Sequence, residues 1–310
     1  MADTRTPQHL SAGSDELRVD NSRCLRTRFS GSSCRLCADH CPRAAIALDG
    51  VLSIDPDLCT GCLLCTAHCP AGALEQTGSF ASSLAQLSRV PEPVLGCTRS
   101  KESSHAAVAC LGGLSGEHLV TLCHSLSGAL TLNLTACGDC PNSKVAAGLP
   151  KRLDRLSGAG LLEGGARLVT AASAAELRYR DETVDRRSFF RSLRSSLFHT
   201  AAVVISGTAE REERRCAYSE KRLPVRRKLL NGVRSNSAEL AARIAAHFDS
   251  RVSFGEGCAR CQGCVAICPT GALKSGLPDE EPAFDPLLCT GCGVCREFCL
   301  DGALQVSQTL

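Results

Sequence analysis

Large aromatic side chains and long apolar runs are scarce in this chain. Its 310 residues include no tryptophan, one methionine and two tyrosines. No apolar run approaches the roughly eighteen residues that a helix needs to cross a bilayer, so no membrane span is expected. Residues 1–20 are polar and contain no apolar stretch of the kind that directs export. We therefore expect a protein of the cytoplasm.

Motifs for nucleotide binding and radical chemistry are also missing. The sequence contains no G-x-x-x-x-G-K-[ST] loop, no glycine-rich dinucleotide fingerprint and no C-x3-C-x2-C run. Nothing in these patterns indicates that the chain carries out substrate chemistry alone.

Cysteine, in contrast, is abundant and clustered. Of the 22 cysteines, eight lie in residues 24–69 and eight in residues 258–299. The spacing C-x2-C-x2-C-x3-C occurs three times, and a fourth copy lacks only its first cysteine. The complete runs start at Cys59, Cys258 and Cys289, and the incomplete run is Cys34, Cys37 and Cys41. Proline follows Cys41, Cys69 and Cys268.

This spacing is typical of iron-sulfur proteins. Three cysteines at x2 intervals fit one tight loop around three irons of a cubane, and the fourth cysteine ligates the other cluster of a pair. Zinc also binds C-x2-C pairs, but no zinc module needs the full run followed by proline. Disulfides would require an oxidising compartment, which the polar N-terminus does not indicate.

Both blocks resemble the two-cluster bacterial ferredoxin, over residues 24–76 and 252–306. The flanking residues repeat as well, since 54–62 and 284–292 are near copies. The resemblance implies a small pseudo-symmetric fold in which each half lends one cysteine to the other. In such units the clusters replace much of the packed core, which suits the scarcity of aromatics, and folding depends on the metal.

The resemblance also implies four [4Fe-4S] clusters and their ligands. Site 1 would comprise Cys41, Cys59, Cys62 and Cys65; site 2 Cys24, Cys34, Cys37 and Cys69; site 3 Cys258, Cys261, Cys264 and Cys299; and site 4 Cys268, Cys289, Cys292 and Cys295.

The chain departs from the ferredoxin pattern in two places. Gly31 stands where site 2 should have its first cysteine, and Cys24 is the only nearby replacement. We expect the arginine-rich residues 25–33 to loop out so that Cys24 reaches the iron. The alternative is a three-cysteine cluster with an open iron. Leu300 replaces the last proline, which removes no ligand.

Two histidines directly precede cluster ligands. His40 comes before Cys41 and His68 before Cys69, whereas the second block has apolar residues at these places. Polar groups there would make the two blocks differ in potential. The alternative is that both side chains point to solvent.

Between the blocks the pattern alternates between strand and helix. Strands are predicted at 94–96, 106–109 and 130–134, and helices at 116–126 and 142–156, which indicates a small α/β domain. Four cysteines follow these strands, at Cys97, Cys110, Cys137 and Cys140. Because ligands gather at the carboxyl ends of parallel strands, we expect the four to converge, and we call them the middle site.

This region resembles the iron-sulfur delta subunit of methyl-viologen-reducing hydrogenases, which passes electrons to heterodisulfide reductase. Residues 110–118 and 136–142 carry the likeness, which implies a [2Fe-2S] cluster at the middle site. The spacing alone also admits zinc, a redox dithiol at Cys137 and Cys140, or bare cysteines. Cys123 is expected to be a small core residue and Cys216 a bystander.

The predicted fold class is α+β, with two ferredoxin-like 2[4Fe-4S] units flanking a small α/β domain with a mostly parallel sheet. The expected divisions are a flexible N-terminus (1–23), a ferredoxin unit (24–80), the α/β domain (90–175), a basic helical linker (176–250) and a second ferredoxin unit (251–310).

The linker includes residues 178–234, with fifteen Arg and Lys against seven Asp and Glu. In it Phe189, Phe190, Leu193 and Leu197 share one helical face, surrounded by Arg186, Arg187, Arg191 and Arg194. This is either a solvated face or a docking surface for an acidic redox partner. No nucleic-acid binding is expected. A second helix is predicted from Asn236, as its cap, to Phe248, packed against the second ferredoxin unit.

The sequence therefore predicts a polyferredoxin-like electron-transfer protein. Its expected donor and acceptor are redox proteins of a low-potential oxidoreductase complex in anaerobic metabolism, such as a hydrogenase or a heterodisulfide-reductase-like system. One alternative is an oxidoreductase subunit with its own active site, at an open iron or at the middle site. Another is a redox sensor whose clusters control binding by the basic stretch.

Overall fold

The computed structural model describes residues 8–9, 17–76, 79–180, 220–277 and 280–308. The predicted helix with Phe189 and Arg186, and Cys216, lie outside these residues.

The N-terminal unit consists of short elements around cysteine-rich loops. Its strands are β1 (Gln8–His9), β2 (Leu17–Val19), β3 (Ile46–Ala47), β4 (Ser53–Ile54) and β5 (Leu74–Gln76), and its helices are α1 (Leu25–Arg28), α2 (Leu36–Asp39) and α3 (Leu64–His68). Strands β1, β2 and β5 form an antiparallel sheet, and β3 pairs with β4. The buried core combines aliphatic side chains such as Leu17, Ile54 and Leu74 with several of the cysteines.

The C-terminal unit repeats this plan. Its elements are β10 (Ser250–Phe254), α10 (Gly263–Ile267), β11 (Leu273–Lys274), β12 (Ala283–Phe284), α11 (Val294–Phe298) and β13 (Leu304–Gln308). An outer antiparallel pair, β10 with β13, and an inner pair, β11 with β12, correspond to the pairs β2–β5 and β3–β4. The repeated sequence therefore folds as a repeated supersecondary unit.

A parallel four-stranded sheet lies between the two units in sequence. Its strands are β6 (Val94–Cys97), β7 (Ala106–Val108), β8 (Ala129–Asn133) and β9 (Arg167–Ala171), in the order β7-β6-β8-β9. All three pairings are parallel. Leu95, Leu130 and Leu132 are completely buried, as expected where helices cover a parallel sheet. The predicted parallel sheet between two cluster units is confirmed.

The helices around the sheet include some from outside the predicted domain. They are α4 (Ser79–Leu87), α5 (Gly116–Ser125), α6 (Ser143–Ala146), α7 (Gly148–Gly158), α8 (Val225–Arg234) and α9 (Ala238–Phe248). The helix predicted over 142–156 is divided at Ala147 into α6 and α7. Strand β9 was not predicted.

Helices α8 and α9 belong to the sheet's core. Leu230 of α8 and Ile244 of α9 are fully buried in the same hydrophobic cluster as Leu95. The expectation that α9 packs on the second ferredoxin unit was wrong, because its apolar face completes the α/β core instead. Its cap is Ser237, whose hydroxyl accepts a hydrogen bond from the Leu240 amide, and not Asn236.

Candidate iron-sulfur centres

The backbone of the three complete cysteine motifs has a shared left-handed geometry. In each, the residues on both sides of the second cysteine have left-handed φ angles, between 55° and 75°: Gly61 and Leu63, Arg260 and Gln262, and Gly291 and Gly293. Three of these six are not glycine, and each left-handed non-glycine residue costs on the order of 1–3 kcal/mol. Such strain persists where a site requires it, and here it lies directly beside the second cysteine of two of the loops.

Site 1 is a closed pocket of thiols. Its four cysteines line one cavity of about 20 Å³, whose other walls include Leu17, Ile54 and Leu63. Cys41 comes from one motif and the other three from the next, so the structure brings the two motifs together. Four cysteine thiols that line one cavity supply the ligand set of a cubane.

Site 4 has the same construction. Its four cysteines line a second cavity of about 20 Å³ with Val252, Phe284 and Val306 in the walls. Cys268 comes from the first motif of the unit and the other three from the second. Burial, together with the charges of the neighbouring Cys268 and Cys289, raises the pKa of Cys295 to about 12.

The structure places Cys24 beside the other cysteines of site 2. Burial raises the pKa of the Cys37 thiol to about 12, and the nearby Cys69, Cys24 and Cys34 add to that shift. Burial likewise raises the pKa of Cys24, and the nearby Cys69 contributes to that rise. The four thiols are therefore electrostatic neighbours, although Cys24 lies ten residues before Cys34.

The segment between them does not loop out as expected. Residues 25–28 form α1, and the side chains of Leu25, Arg28 and Ser32 are buried. The Phe29 ring packs edge-on against Phe298 of the C-terminal unit, with ring centroids 5.3 Å apart. The insertion thus packs on the second ferredoxin unit, because its apolar side chains bury surface there.

Site 3 is the most open of the four. Cys258 and Cys261 both raise the pKa of Cys264, after burial as the main cause, so these three thiols are close. Cys299 directly follows α11, and Cys299 and Cys264 both pack against the same hydrophobic core. Cys261 is exposed.

These raised thiol pKa values have a consequence for metal binding. Several buried thiols close together resist ionisation, because each thiolate would be desolvated and would repel its neighbours. Iron binding requires thiolates and supplies the compensating positive charge, so metal binding and folding are coupled. The sites therefore fit a cationic iron-sulfur core in their chemistry.

The middle site lines the largest of these cavities, about 410 Å³ in volume. Cys97 ends β6, and Cys110 and Cys137 follow β7 and β8, so the carboxyl ends of neighbouring strands bring them together with Cys140. Cys97 and Cys110 are buried, and Cys137 and Cys140 are half-buried. The backbone N–H of Asn142 donates a hydrogen bond to Cys140 Sγ at 3.4 Å.

The opposite wall of this cavity belongs to the N-terminal unit. Thr60, Gly61 and Leu63, which surround Cys62 of site 1, line it. Gly113 touches the same loop, since a β-carbon there would lie 2.2 Å from the Cys62 carbonyl oxygen. The loop that carries site 1 thus also closes the middle site.

His40 and His68 stack on each other, with ring centroids 3.6 Å apart. Burial, together with the adjacent His40, lowers the pKa of His68 to about 4. His68 is therefore neutral near pH 7, and His40 is exposed with Nδ1 2.9 Å from the Leu36 carbonyl oxygen.

Two arginines in contact with candidate ligand cysteines were not predicted. Arg226 donates a hydrogen bond to the Cys69 carbonyl oxygen at 2.8 Å, and Arg227 donates one to the Cys289 carbonyl oxygen at 3.1 Å. The sequence marked both only as part of a basic stretch.

Among the described residues, no three His, Cys, Asp or Glu side chains form a group that could hold a single metal ion. In a cubane each thiolate binds a different iron, so the four ligands surround a volume instead of meeting at one point. In the same part of the chain, no helix has the length and apolar character needed to span a membrane.

Comparison with known families identifies two segments. Residues 52–75 match the 4Fe-4S binding domain, and residues 252–300 match the 4Fe-4S dicluster domain. The first match covers one motif of the N-terminal block and the second covers both motifs of the C-terminal block. No curated protein matches the chain. The chain thus contains 4Fe-4S binding domains in both blocks, and the matched segments account for less than half of it.

Proposed function

We propose that this chain is a polyferredoxin-like electron-transfer protein with four [4Fe-4S] clusters at sites 1–4 and a [2Fe-2S] cluster at the middle site. The two 4Fe-4S domain matches and the many cysteines support iron-sulfur electron transfer. Bound clusters would supply one-electron redox chemistry at low potential. The protein's part is to hold thiols in place, exclude water and set the order of the sites.

The contact between the middle site and site 1 is the observation that carries this proposal. Thr60 and Gly61 wall the middle cavity and lie between two ligands of site 1, Cys59 and Cys62. Two redox sites that share one loop are close enough for direct electron exchange. A structural zinc site would have no need of this contact.

The remaining sites continue the series. Cys65 of site 1 interacts electrostatically with Cys37 and Cys69 of site 2. Cys34 of site 2 packs in the same hydrophobic cluster as cysteines of both site 3 and site 4. Cys295 of site 4 interacts with Cys264 of site 3. These contacts support the order middle site, site 1, site 2, and then the adjacent sites 3 and 4.

The α/β domain would be the entry or docking module. Its likeness to the delta subunit of methyl-viologen-reducing hydrogenases supports a [2Fe-2S] cluster there, and a hydrogenase or heterodisulfide-reductase-like complex as donor or acceptor. We place this exchange in the cytoplasm, in anaerobic metabolism.

A reductive titration tests the proposal. The anaerobically purified protein should accept about five electrons, about one for each cluster, and return them to an added one-electron acceptor. Uptake of two electrons or fewer would contradict a five-centre relay. The variant Cys137→Ser should accept about one electron fewer, while Cys123→Ala, which changes a buried cysteine outside every site, should accept the full number.

The volume of the middle cavity favours a second candidate, an oxidoreductase with its active site at Cys97, Cys110, Cys137 and Cys140. This function predicts turnover of a disulfide or carbonyl substrate when a strong reductant is supplied, and loss of turnover in Cys137→Ser. Absence of turnover with an intact set of clusters would leave the relay as the function.

A further inference from the structure

Helix α8 lies where the two ferredoxin units and the α/β domain meet. It begins after Pro224 and packs Leu230 and Val233 into the α/β core. Arg226 and Arg227 are consecutive, and successive helical residues point about 100° apart. The two side chains therefore leave one helix in different directions.

Arg226 reaches the N-terminal unit. Its two terminal nitrogens donate to the carbonyl oxygens of Thr66 and Cys69, at 3.0 and 2.8 Å. Its Nε donates to Glu117 Oε1 of α5 at 3.2 Å, in an ion pair whose side chains are only 10% and 15% exposed. Burial acts to raise the pKa of Glu117, but the Arg226 charge and local hydrogen bonds outweigh it and hold that pKa below its ordinary value.

Arg227 reaches the C-terminal unit. Its Nη2 lies within hydrogen-bond distance of three acceptors: the carbonyl oxygens of Phe248 and Cys289, at 2.7 and 3.1 Å, and Asp249 Oδ1, at 2.9 Å. Asp249 also pairs with Arg234 at 2.8 Å. The Arg227 side chain is 4% exposed, so water screens its charge little.

Each guanidinium thus binds the peptide carbonyl of one cluster ligand, Cys69 of site 2 or Cys289 of site 4. A cluster becomes more negative when it gains an electron. A nearby positive charge favours the reduced form, and a nearby carboxylate favours the oxidised form. Each arginine hydrogen-bonds the carbonyl of a single ligand cysteine, so its charge acts most strongly on that cluster.

We propose that Arg226 and Arg227 set the reduction potentials of site 2 and site 4 separately, each through its hydrogen bond to the carbonyl of one ligand cysteine. This inference rests on the proposed cluster assignment. Both are positioning residues that act through the ligand, and Glu117 and Asp249 moderate their charge.

The test is an EPR-monitored redox titration of the full chain in four variants, Arg226→Gln, Glu117→Gln, Arg227→Gln and Lys228→Gln. Loss of signals in Cys24→Ala and Cys268→Ala assigns sites 2 and 4. Arg226→Gln should lower the reduced-to-oxidised ratio at site 2 about tenfold, a shift of about 59 mV for one electron. Glu117→Gln should raise the reduction potential of site 2. Arg227→Gln should lower the reduction potential of site 4 and leave the other sites unchanged.

Lys228 is exposed on the same helix. Lys228→Gln therefore removes one positive charge that lies away from the ligand cysteines, and it should change the reduction potential of no cluster. If Arg226→Gln and Glu117→Gln shift the reduction potential of site 2 in the same direction, the proposal is overturned. Loss of the ion pair would then act by loosening the structure and not through charge. Equal shifts at all sites would also overturn it.

Arg226→Gln leaves Glu117 buried without its partner and can prevent cluster loading. In that event the test for site 2 rests on Glu117→Gln. A raised reduction potential at site 2 in this variant supports the proposal, and an unchanged or lowered potential overturns it. A wild-type protein without cubanes would instead contradict the proposed function.

Discussion

Asn142 and Thr60 exchange two hydrogen bonds across the boundary between the α/β domain and the N-terminal unit. Asn142 Nδ2 donates to the Thr60 carbonyl oxygen at 3.1 Å, and Thr60 Oγ1 donates to Asn142 Oδ1 at 2.5 Å. Asn142 lies two residues after Cys140, and Thr60 lies between Cys59 and Cys62. The pair therefore joins the ligand loop of the middle site to that of site 1.

Asn142→Ala should lower the free energy of unfolding by about 1–2 kcal/mol, because Thr60 loses both partners in a partly buried contact. Thermal unfolding of the loaded protein measures this. In a double-mutant cycle with Thr60→Ala the two losses should be less than additive. Ser235→Ala, at an exposed helix end, is the control, and fully additive losses would show that the pair does not couple the loops.

Cys24→Ala should reduce the iron content by about four atoms per chain or leave a three-iron cluster, because the fourth thiol of site 2 is removed. Iron analysis and low-temperature EPR distinguish these results. Cys123→Ala is the matched control, since Cys123 is equally a buried cysteine and lies outside every site. Unchanged iron and an unchanged spectrum in Cys24→Ala would show that Cys24 is not a ligand.

The cysteine spacing alone was enough to predict the cluster loops, because a cubane constrains its ligands locally whatever the rest of the fold does. The position of Cys24 beside Cys37 and Cys69 could be anticipated, because no other cysteine was available to replace Gly31. The path of residues 25–33 could not, since it depends on contact between Phe29 and Phe298, which lie far apart in sequence.

The sheet was predicted where strands are short and fully buried, as at Val94 and Leu130. Strand β9 was missed because its residues alternate between exposed and half-buried at the sheet edge, which resembles a loop pattern. Arg226 and Arg227 act on carbonyl groups 157 and 62 residues away. No local pattern distinguishes such arginines from a solvated basic face.

Gly113→Ala should disrupt the docking of the α/β domain on site 1, because the added methyl group would lie 2.2 Å from the Cys62 carbonyl oxygen. The nearest atoms to this methyl group belong to the backbone of Cys62 and Leu63, so no flexible side chain can move to make room. We expect a loss of stability above about 1 kcal/mol and weaker magnetic interaction between site 1 and the middle site. Gly148→Ala is the control, as nothing lies within 4 Å of its added carbon. Equal behaviour of both variants would exclude close contact at Gly113.

Removal of iron should unfold the two ferredoxin units and spare the α/β sheet. The units have cores built partly of cysteine thiols, while the sheet has its own core, including the fully buried Leu95, Leu130 and Leu132. Hydrogen exchange of the chelator-treated protein should show protected amides in β6 and β8 and rapid exchange near Cys62 and Cys292. Retained protection around these cysteines would show that the units fold without metal.

The central claim is that the cysteines of sites 1–4 and the middle site hold five iron-sulfur clusters in one chain. The most direct measurement is anaerobic iron and acid-labile sulfide analysis combined with low-temperature EPR of the dithionite-reduced protein. The account predicts about eighteen irons per chain, interacting cubane signals and a separate [2Fe-2S] signal. Zinc in place of iron, or a three-iron signal in the unaltered protein, would contradict it.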